Sequence, residues 1–248
     1  MNKVMVITGA SRGIGAATAR LAAQRGYAVC LNYRSNGEAA AQLTEDLRRQ
    51  GAKALAVQAD VGVESEVVRM FETVDRELGP VAVLVNNAGM LEPQMTVAEM
   101  PADRLTRVLN TNVVGSFLCA REAILRMSTR RGGKGGAIVN VSSMAARLGS
   151  PNEYVDYAAA KGAIDTFTLG LAKEAAADGI RVNAVRPGLI YTDMHASGGE
   201  PGRIERLKDS VPLRRGGQPE EVANAILWLA SDEASYTTGT FIDVSGGR

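Results

Sequence analysis

The chain has 248 residues, a formal net charge of +1, one histidine and two cysteines. The near-neutral balance gives no electrostatic footprint for nucleic acid or an anionic membrane surface, two cysteines make no disulfide framework, and one histidine with two cysteines is too few for a His/Cys zinc site, so no metal is expected. The apolar run Ala225 to Ala230 is about a third of a membrane span, and a strand-like run from Val4 that meets Gly9 at once argues against a signal peptide, which together predict a reduced, cytoplasmic globular protein.

Val4 to Thr8 reads as a first strand that stops at Gly9. Ile14, Ala17, Leu21 and Ala22 then recur at helical spacing, and Gly26 closes that helix. Ala28 to Asn32 reads as a second strand, Gly37 to Gln50 as a polar-faced helix and Ala54 to Ala59 as a third strand. Val63 to Leu78 is a helix with Glu64 and Glu66 in its first turn, where negative charge suits the helix dipole. Val81 to Asn86 is a fourth strand, and the spacing then predicts one long helix from near Asp103 to near Arg130. After a glycine-rich turn come a fifth strand, Ala137 to Val141, and an alanine-rich helix, Tyr154 to Asp178. Ile180 to Val185 is a sixth strand, closed by Pro187-Gly188. Leu189 to Pro219 is irregular, Pro219-Glu220-Glu221 opens a helix that runs to about Ser231, and Thr240 to Val244 is a last strand. Alternation without a linker or repeat predicts a single α/β domain over 1–248, a doubly wound parallel sheet with helices on both faces. Ligands of such sheets sit beyond the carboxyl ends of the strands. Thr8 to Gly15, Asn32 to Ser35, Asp60, Asn86 to Gly89, Ser142-Ser143 and Arg186 to Thr192 should therefore share one edge.

Gly9, Gly13 and Gly15 form G-x-x-x-G-x-G between the first strand and the first helix, with Ser11, Arg12 and Ile14 among them. Glycine admits positive φ and lets backbone N–H groups approach a pyrophosphate at a helix N-terminus. An ordinary tight turn is the plainer reading. The same residues also match G-x-S-x-G, the nucleophile elbow of α/β-hydrolases, with His195 as the one available base.

Tyr157 and Lys161 stand four apart on a predicted helix, so both side chains lie on one face. A tyrosine ionises near pH 10, and a neighbouring ammonium stabilises the phenolate. The pair is thus either a general acid/base or an ordinary helix face. The surrounding motifs bear on that choice. Thr8-Gly9-x-x-x-Gly13-x-Gly15, Asn86-Asn87-Ala88-Gly89, Asn112 in Asn110-Thr111-Asn112, Ser143 in Asn140-Val141-Ser142-Ser143, Tyr157-x-x-x-Lys161 and Pro187-Gly188 run in that order along the whole chain. In these motifs the sequence resembles the short-chain dehydrogenase/reductase family, whose fold is a Rossmann-type sheet of about seven strands.

The resemblance implies a role for each match. Tyr157 would exchange a proton with the substrate oxygen, Ser143 would hydrogen-bond that oxygen, and Lys161 would bind the nicotinamide ribose and lower the Tyr157 pKa. Asn112 would hold a water that links Lys161 to solvent. Asn87, Ala88 and Gly89 would neighbour the cofactor, Asp60-Val61 its adenine, and Pro187, Gly188, Ile190 and Thr192 its nicotinamide. After the second strand come Asn32, Tyr33, Arg34 and Ser35, with no acid before Glu38 to accept from a ribose 2′-hydroxyl. Arg34 and Arg12 instead offer planar forks to a 2′-phosphate, although Arg34 also reads as a solvated turn residue. NADP(H) is therefore expected, with NAD(H) secondary.

Tyr191 to Pro212, rich in glycine, should close over a small carbonyl or alcohol substrate, and His195 reads there as a surface residue rather than a base. The chain resembles both the glucose-dehydrogenase and the 3-oxoacyl-carrier-protein-reductase neighbourhoods of the family. Asp178 before Gly179 would repel an acidic carrier protein, an effect partly offset by Arg130 and Arg131, which slightly favours a sugar or small carbonyl over the carrier-bound substrate. A homotetramer that pairs long helices and C-terminal strands is the family expectation. A dinucleotide-sensing regulator without catalysis is the alternative of another class, against which Ser143, Tyr157 and Lys161 stand intact.

Overall fold

The computed structural model describes residues 2–248. Seven strands form one parallel sheet in the order β3-β2-β1-β4-β5-β6-β7. They are β1 (Val4–Ile7), β2 (Ala28–Tyr33), β3 (Ala54–Gln58), β4 (Val81–Asn86), β5 (Gly136–Val141), β6 (Ile180–Pro187) and β7 (Phe241–Val244). The helices between them are α1 (Gly13–Gln24), α2 (Gly37–Arg49), α3 (Glu64–Glu77), α4 (Ala102–Leu109), α5 (Gly115–Met127), α6 (Ala145–Leu148), α7 (Val155–Ala175), α8 (Met194–Ser197), α9 (Arg203–Leu207) and α10 (Pro219–Ala230). The fold class and strand count expected from the alternation are those observed.

Both faces of the sheet are covered, which is why its strands read as unbroken apolar runs. Successive residues of β1 point to opposite sides. Val4 and Val6 join a core with α3, α5 and α7, built on Phe71, Met70, Ala123 and Leu171. Met5 and Ile7 join a second core with α1, α2 and α10, built on Ala19, Leu47 and Ile226. Cys30 and Cys119 are both free and wholly enclosed in the first core. The chain winds outward from β1 to β3, then returns to place β4 against the other side of β1. That reversal puts the loops after β1 and β4 side by side at a topological switch point, where ligands of such sheets bind.

One predicted element differs. The helix expected from Asp103 to Arg130 is interrupted by a π-helical turn, Asn110–Val114, between α4 and α5. The extra residue in the turn lets the wholly buried Asn112 side chain face inward. Its Nδ2 donates to the Met90 carbonyl at 3.1 Å and to the Val108 carbonyl at 2.9 Å, and its Oδ1 accepts from Met90 N–H at 3.1 Å. The region 189–219, expected to be irregular, contains the short helices α8 and α9. On the outer side of α4, α5 and α7, Leu109, Val114, Phe117, Leu125 and Leu169 are exposed. Phe117 stacks on Phe167 at 3.8 Å between ring centroids. No helix among the described residues is long and apolar enough to cross a membrane.

Candidate active site

The glycine loop is shaped by its lack of side chains. Gly9 and Gly13 take positive φ, +62° and +54°. A Cβ on Gly9 would meet the Ala88 Cα at 2.9 Å, and one on Gly15 would meet the Gly9 carbonyl oxygen at 2.5 Å and Asn87 Nδ2 at 2.6 Å. Arg12 sits at the N-cap of α1 and its side chain makes no capping bond, so the first-turn N–H groups stay available to an anion. Asn87 Nδ2 donates to the carbonyls of Thr8 at 2.8 Å and Gly9 at 3.0 Å, while Thr8 Oγ1 accepts from the N–H groups of Asn87 and Ala88. These bonds lock the two loops of the switch point together. The cradle fits a dinucleotide pyrophosphate.

Around this cradle the predicted edge residues assemble, with some changes of role. Asn32 is not free to meet a ligand: its Oδ1 accepts from Gly9 N–H at 3.2 Å and its Nδ2 donates to the Ala59 carbonyl at 2.9 Å. Its side chain braces the glycine loop against β3. Tyr33 lies over the start of α2, where a Cβ on Gly37 would be 3.3 Å from Tyr33 Cε2. Arg34 is exposed, with Nη1 3.8 Å from Asp60 Oδ2, and Ser35 is exposed beside it. Val61 is buried. Arg12 turns toward α8, with Nη2 3.4 Å from Ser197 Oγ and Nη1 3.9 Å from Asp193. The two arginines thus take different neighbours. Ser11 and His195, the pair a hydrolase would need, share no hydrogen bond among the described residues.

A cleft opens next to the loop and is lined by Ser143, Tyr157, Lys161, Pro187, Gly188, Ile190 and Thr192, among others. The two adjacent serines divide. Ser142 Oγ donates to Asp165 Oδ1 at 2.6 Å and lies 3.2 Å from the Lys161 carbonyl oxygen, which ties β5 to α7. Ser143 is left to the cleft, in hydrogen-bonding reach of the Tyr157 hydroxyl. Its Oγ also accepts from Ala145 N–H at 3.1 Å. Lys161 Nζ donates to the Val141 carbonyl at 2.7 Å and lies 5.5 Å from the Tyr157 ring centroid. Gly89 leaves room between Asn112 Oδ1 and Lys161 Nζ, where a Cβ would stand 2.9 Å from the first and 3.6 Å from the second. Gly13 approaches Thr192, whose Cγ2 would be 3.2 Å from an added Cβ.

Burial drives the two titrating groups in opposite directions. Burial pushes the Tyr157 phenol up to about 12, opposed by its bond to Ser143. Burial pulls the Lys161 ammonium down to about 8, opposed by the charge of Asp165. A lowering of the phenol by Lys161 is not among these influences: Lys161 is aimed at the Val141 carbonyl, and burial is the largest influence on Tyr157.

Three features were missed by the sequence reading. Arg104 Nε and Asp156 Oδ2 pair at 2.8 Å with side chains only 2% exposed. Asp156 Oδ1 also accepts from Tyr157 N–H at 2.9 Å, so this pair pins the catalytic turn of α7 to α4. The partners are 52 residues apart, and nothing local announces them. His195 is not a plain surface residue: it lines the cleft and is half-buried beside the Ile190 backbone. Burial and then the Arg203 charge hold its imidazole below the ordinary value. Asp178 is not a free charge either. Arg130 Nε and Nη2 reach its oxygens at 2.6 and 2.7 Å, and Ser128 Oγ donates at 2.5 Å. Arg130 first, and Ser128 second, hold its carboxyl well below the usual range. The repulsion of an acidic carrier expected from Asp178 is removed by this pairing.

Comparison with known proteins agrees with this geometry. A family model described as enoyl-(acyl carrier protein) reductase matches residues 9–248. The chain is 60% identical over 245 residues to the uncharacterized oxidoreductase YgfF of Escherichia coli strain K12, covering 99% of each chain. It is 37% identical over 247 residues to the 3-oxoacyl-[acyl-carrier-protein] reductase FabG of a Staphylococcus epidermidis strain, covering 100% of this chain and 99% of that one. A crystal structure of a short-chain type dehydrogenase/reductase from Mycobacterium marinum superposes with a TM-score of 0.92 at 34% identity, covering 99% of this chain and 94% of that one.

Proposed function

The chain belongs to the short-chain dehydrogenase/reductase family of oxidoreductases, which use a nicotinamide dinucleotide, and on that premise we propose that it is an NADP(H)-dependent enzyme that interconverts a carbonyl and a secondary alcohol. The observation that carries this reading is the convergence of Ser143, Tyr157 and Lys161 on one cleft beside the glycine cradle. A bound nicotinamide supplies the hydride for reduction and takes it in oxidation. The protein's part is the proton. Tyr157, protonated at neutral pH because burial raises it to about 12, donates from its hydroxyl to the carbonyl oxygen as the carbon is reduced. Ser143 donates a hydrogen bond to the same oxygen and fixes its position. The Lys161 ammonium stabilises the phenolate left on Tyr157 and would meet the ribose hydroxyls of the cofactor. Asn112 holds the π turn that faces Lys161 across Gly89. The backbone N–H groups at Gly13 to Gly15 would receive the pyrophosphate, and Thr192, Ile190 and Gly188 would border the nicotinamide.

Arg34 supports the choice of NADP(H): it is exposed at the end of β2, next to Asp60 at a separation too long to occupy its fork. Tyr157→Phe should lower NADPH-dependent reduction of a carbonyl panel by about 10² to 10⁴-fold with the circular dichroism spectrum unchanged. Retained turnover in this variant would refute the role of Tyr157, and cofactor binding by the unaltered protein with no turnover of any carbonyl would refute the assignment in favour of a regulator. Arg34→Ala should weaken NADPH more than NADH in a fluorescence titration, and equal losses exclude the 2′-phosphate role. The first reading of the substrate is a sugar or small carbonyl, although the pairing of Asp178 with Arg130 takes away the repulsion that favoured it. The carrier-bound 3-oxoacyl thioester is the second reading, favoured by the neutralised Asp178 and by the relatives that carry that name.

A further inference from the structure

The strand end that carries Ser143 is held from behind by a chain of charged side chains. Ser142 Oγ donates to Asp165 Oδ1 at 2.6 Å. Arg186 answers the other oxygen of that carboxylate, with Nε and Nη2 each 2.9 Å from Asp165 Oδ2. Arg186 Nη1 lies 3.4 Å from Asp243 Oδ1, and Arg147 Nη1 reaches Asp243 Oδ2 at 3.1 Å. The Arg186 guanidinium is also 3.9 Å from the centroid of the Phe241 ring, which restricts it further. The chain of contacts thereby joins the end of β5 to α7, β6, β7 and α6.

Ser142 stands between two groups of the cleft. The residue before it, Val141, accepts from Lys161 Nζ through its carbonyl at 2.7 Å, and the residue after it is Ser143. Backbone bonds fasten this stretch to β6, from Ser142 N–H to the Val185 carbonyl and from Met144 N–H to the Pro187 carbonyl, each at 2.9 Å. The reacting groups, however, are divided between two elements: Ser143 follows β5, whereas Tyr157 and Lys161 are on α7. The bonds from Lys161 to Val141 and from Ser142 to Asp165 register one against the other.

Asp165 follows Lys161 by four residues, one turn further along α7. The Asp165 and Arg186 side chains are both only 15% exposed. A largely buried ion pair is a poor device for stability alone, since apolar side chains of similar volume often do as well. What it supplies is direction: a carboxylate gripped on one oxygen by a guanidinium presents the other at a set angle. Its charge also acts on the Lys161 ammonium, opposing the loss of the proton that burial favours. The other groups facing Lys161 are the Val141 carbonyl from β5, Asn112 from the π turn and Tyr157 from its own helix.

We propose that Asp165 is a positioning residue of the reductase site: through Ser142 it sets the end of β5 against α7, so that Ser143 and Lys161 keep their places around the Tyr157 hydroxyl. This role rests on the carbonyl-reductase reading above.

Two variants separate the hold from the charge. Ser142→Ala removes the hold and leaves the Asp165 and Arg186 pair. Its kcat for carbonyl reduction should fall by up to about 10²-fold, the cost of misplacing a group by about 1 Å, with KM for the carbonyl changing less. Asp165→Asn keeps an acceptor for Ser142 and removes the charge. It should lose less rate at low pH, and its decline with rising pH should set in earlier than in the unaltered enzyme. The sign follows from the charge, because an anion near an ammonium holds the proton on, and its loss lets Lys161 deprotonate at lower pH. Circular dichroism and thermal melting show that both variants are folded. The Lys161 resonance in protein made with isotope-labelled lysine, assigned by its absence from Lys161→Met, follows the same titration by NMR without turnover. A folded Ser142→Ala protein with unaltered kcat overturns the proposal. So does an Asp165→Asn protein in which Lys161 titrates where it did before. If the unaltered enzyme turns over no carbonyl, the reductase reading falls, and the resonance still decides whether Asp165 governs Lys161.

Discussion

Tyr157 and Lys161 show how one environment tunes two groups at once. Removal from water disfavours whichever form is charged, so the phenol rises to about 12 and the ammonium falls to about 8. The signs then fix a pH dependence. Tyr157 stays protonated, and so able to donate, across the working range, whereas Lys161 is charged below about pH 8 and neutral above it. Reduction that needs the ammonium should hold steady below that pH and decline as pH rises through it. Reductive kcat/KM measured from pH 6 to 10 at saturating cofactor checks this, and Lys161→Met should remove the decline along with most of the rate. At this scale the sequence was legible where partners are neighbours in the chain. The glycine loop and the Tyr157 and Lys161 spacing each span one turn or loop. The setting of His195 was not legible, because it is made by segments brought together only by the fold.

Elements tell a related story. Each strand was readable because a sheet covered on both faces demands continuous Val, Ile and Leu, as in Val81–Asn86. The break between α4 and α5 was not, since no proline or glycine lies within Asn110–Val114. The turn is fixed instead by the tertiary bonds of Asn112 to Met90, which periodicity cannot report. The helices α8 and α9 span only four and five residues, too short to show a helical period. What binds α4 to α7 is the Arg104 and Asp156 pair, enclosed at 2% exposure on both sides. Breaking a buried pair strands one charge, so Asp156→Ala should destabilise the protein by about 3–5 kcal/mol. Urea unfolding measures that loss. Activity should fall with it, because Asp156 also holds the first turn that carries Tyr157.

For the whole molecule, the outer side of α4, α5 and α7 leaves Leu109, Val114, Phe117, Leu125 and Leu169 in contact with solvent, and such a patch suits a second copy of the chain. A homotetramer is the expected assembly, and Phe117→Glu should shift it to smaller species in analytical ultracentrifugation. An unaltered chain that sediments as a monomer would exclude it. The two cysteines add a different consequence at the same scale. Cys30 in β2 and Cys119 in α5 are wholly enclosed in one core, and burial raises both thiols, that of Cys30 to about 12. Neither thiolate can form while the core is shut. An alkylating reagent would therefore reach them only through large-scale opening, and the rate at which the protein takes up label becomes a built-in clock for its unfolding, with no engineered probe required.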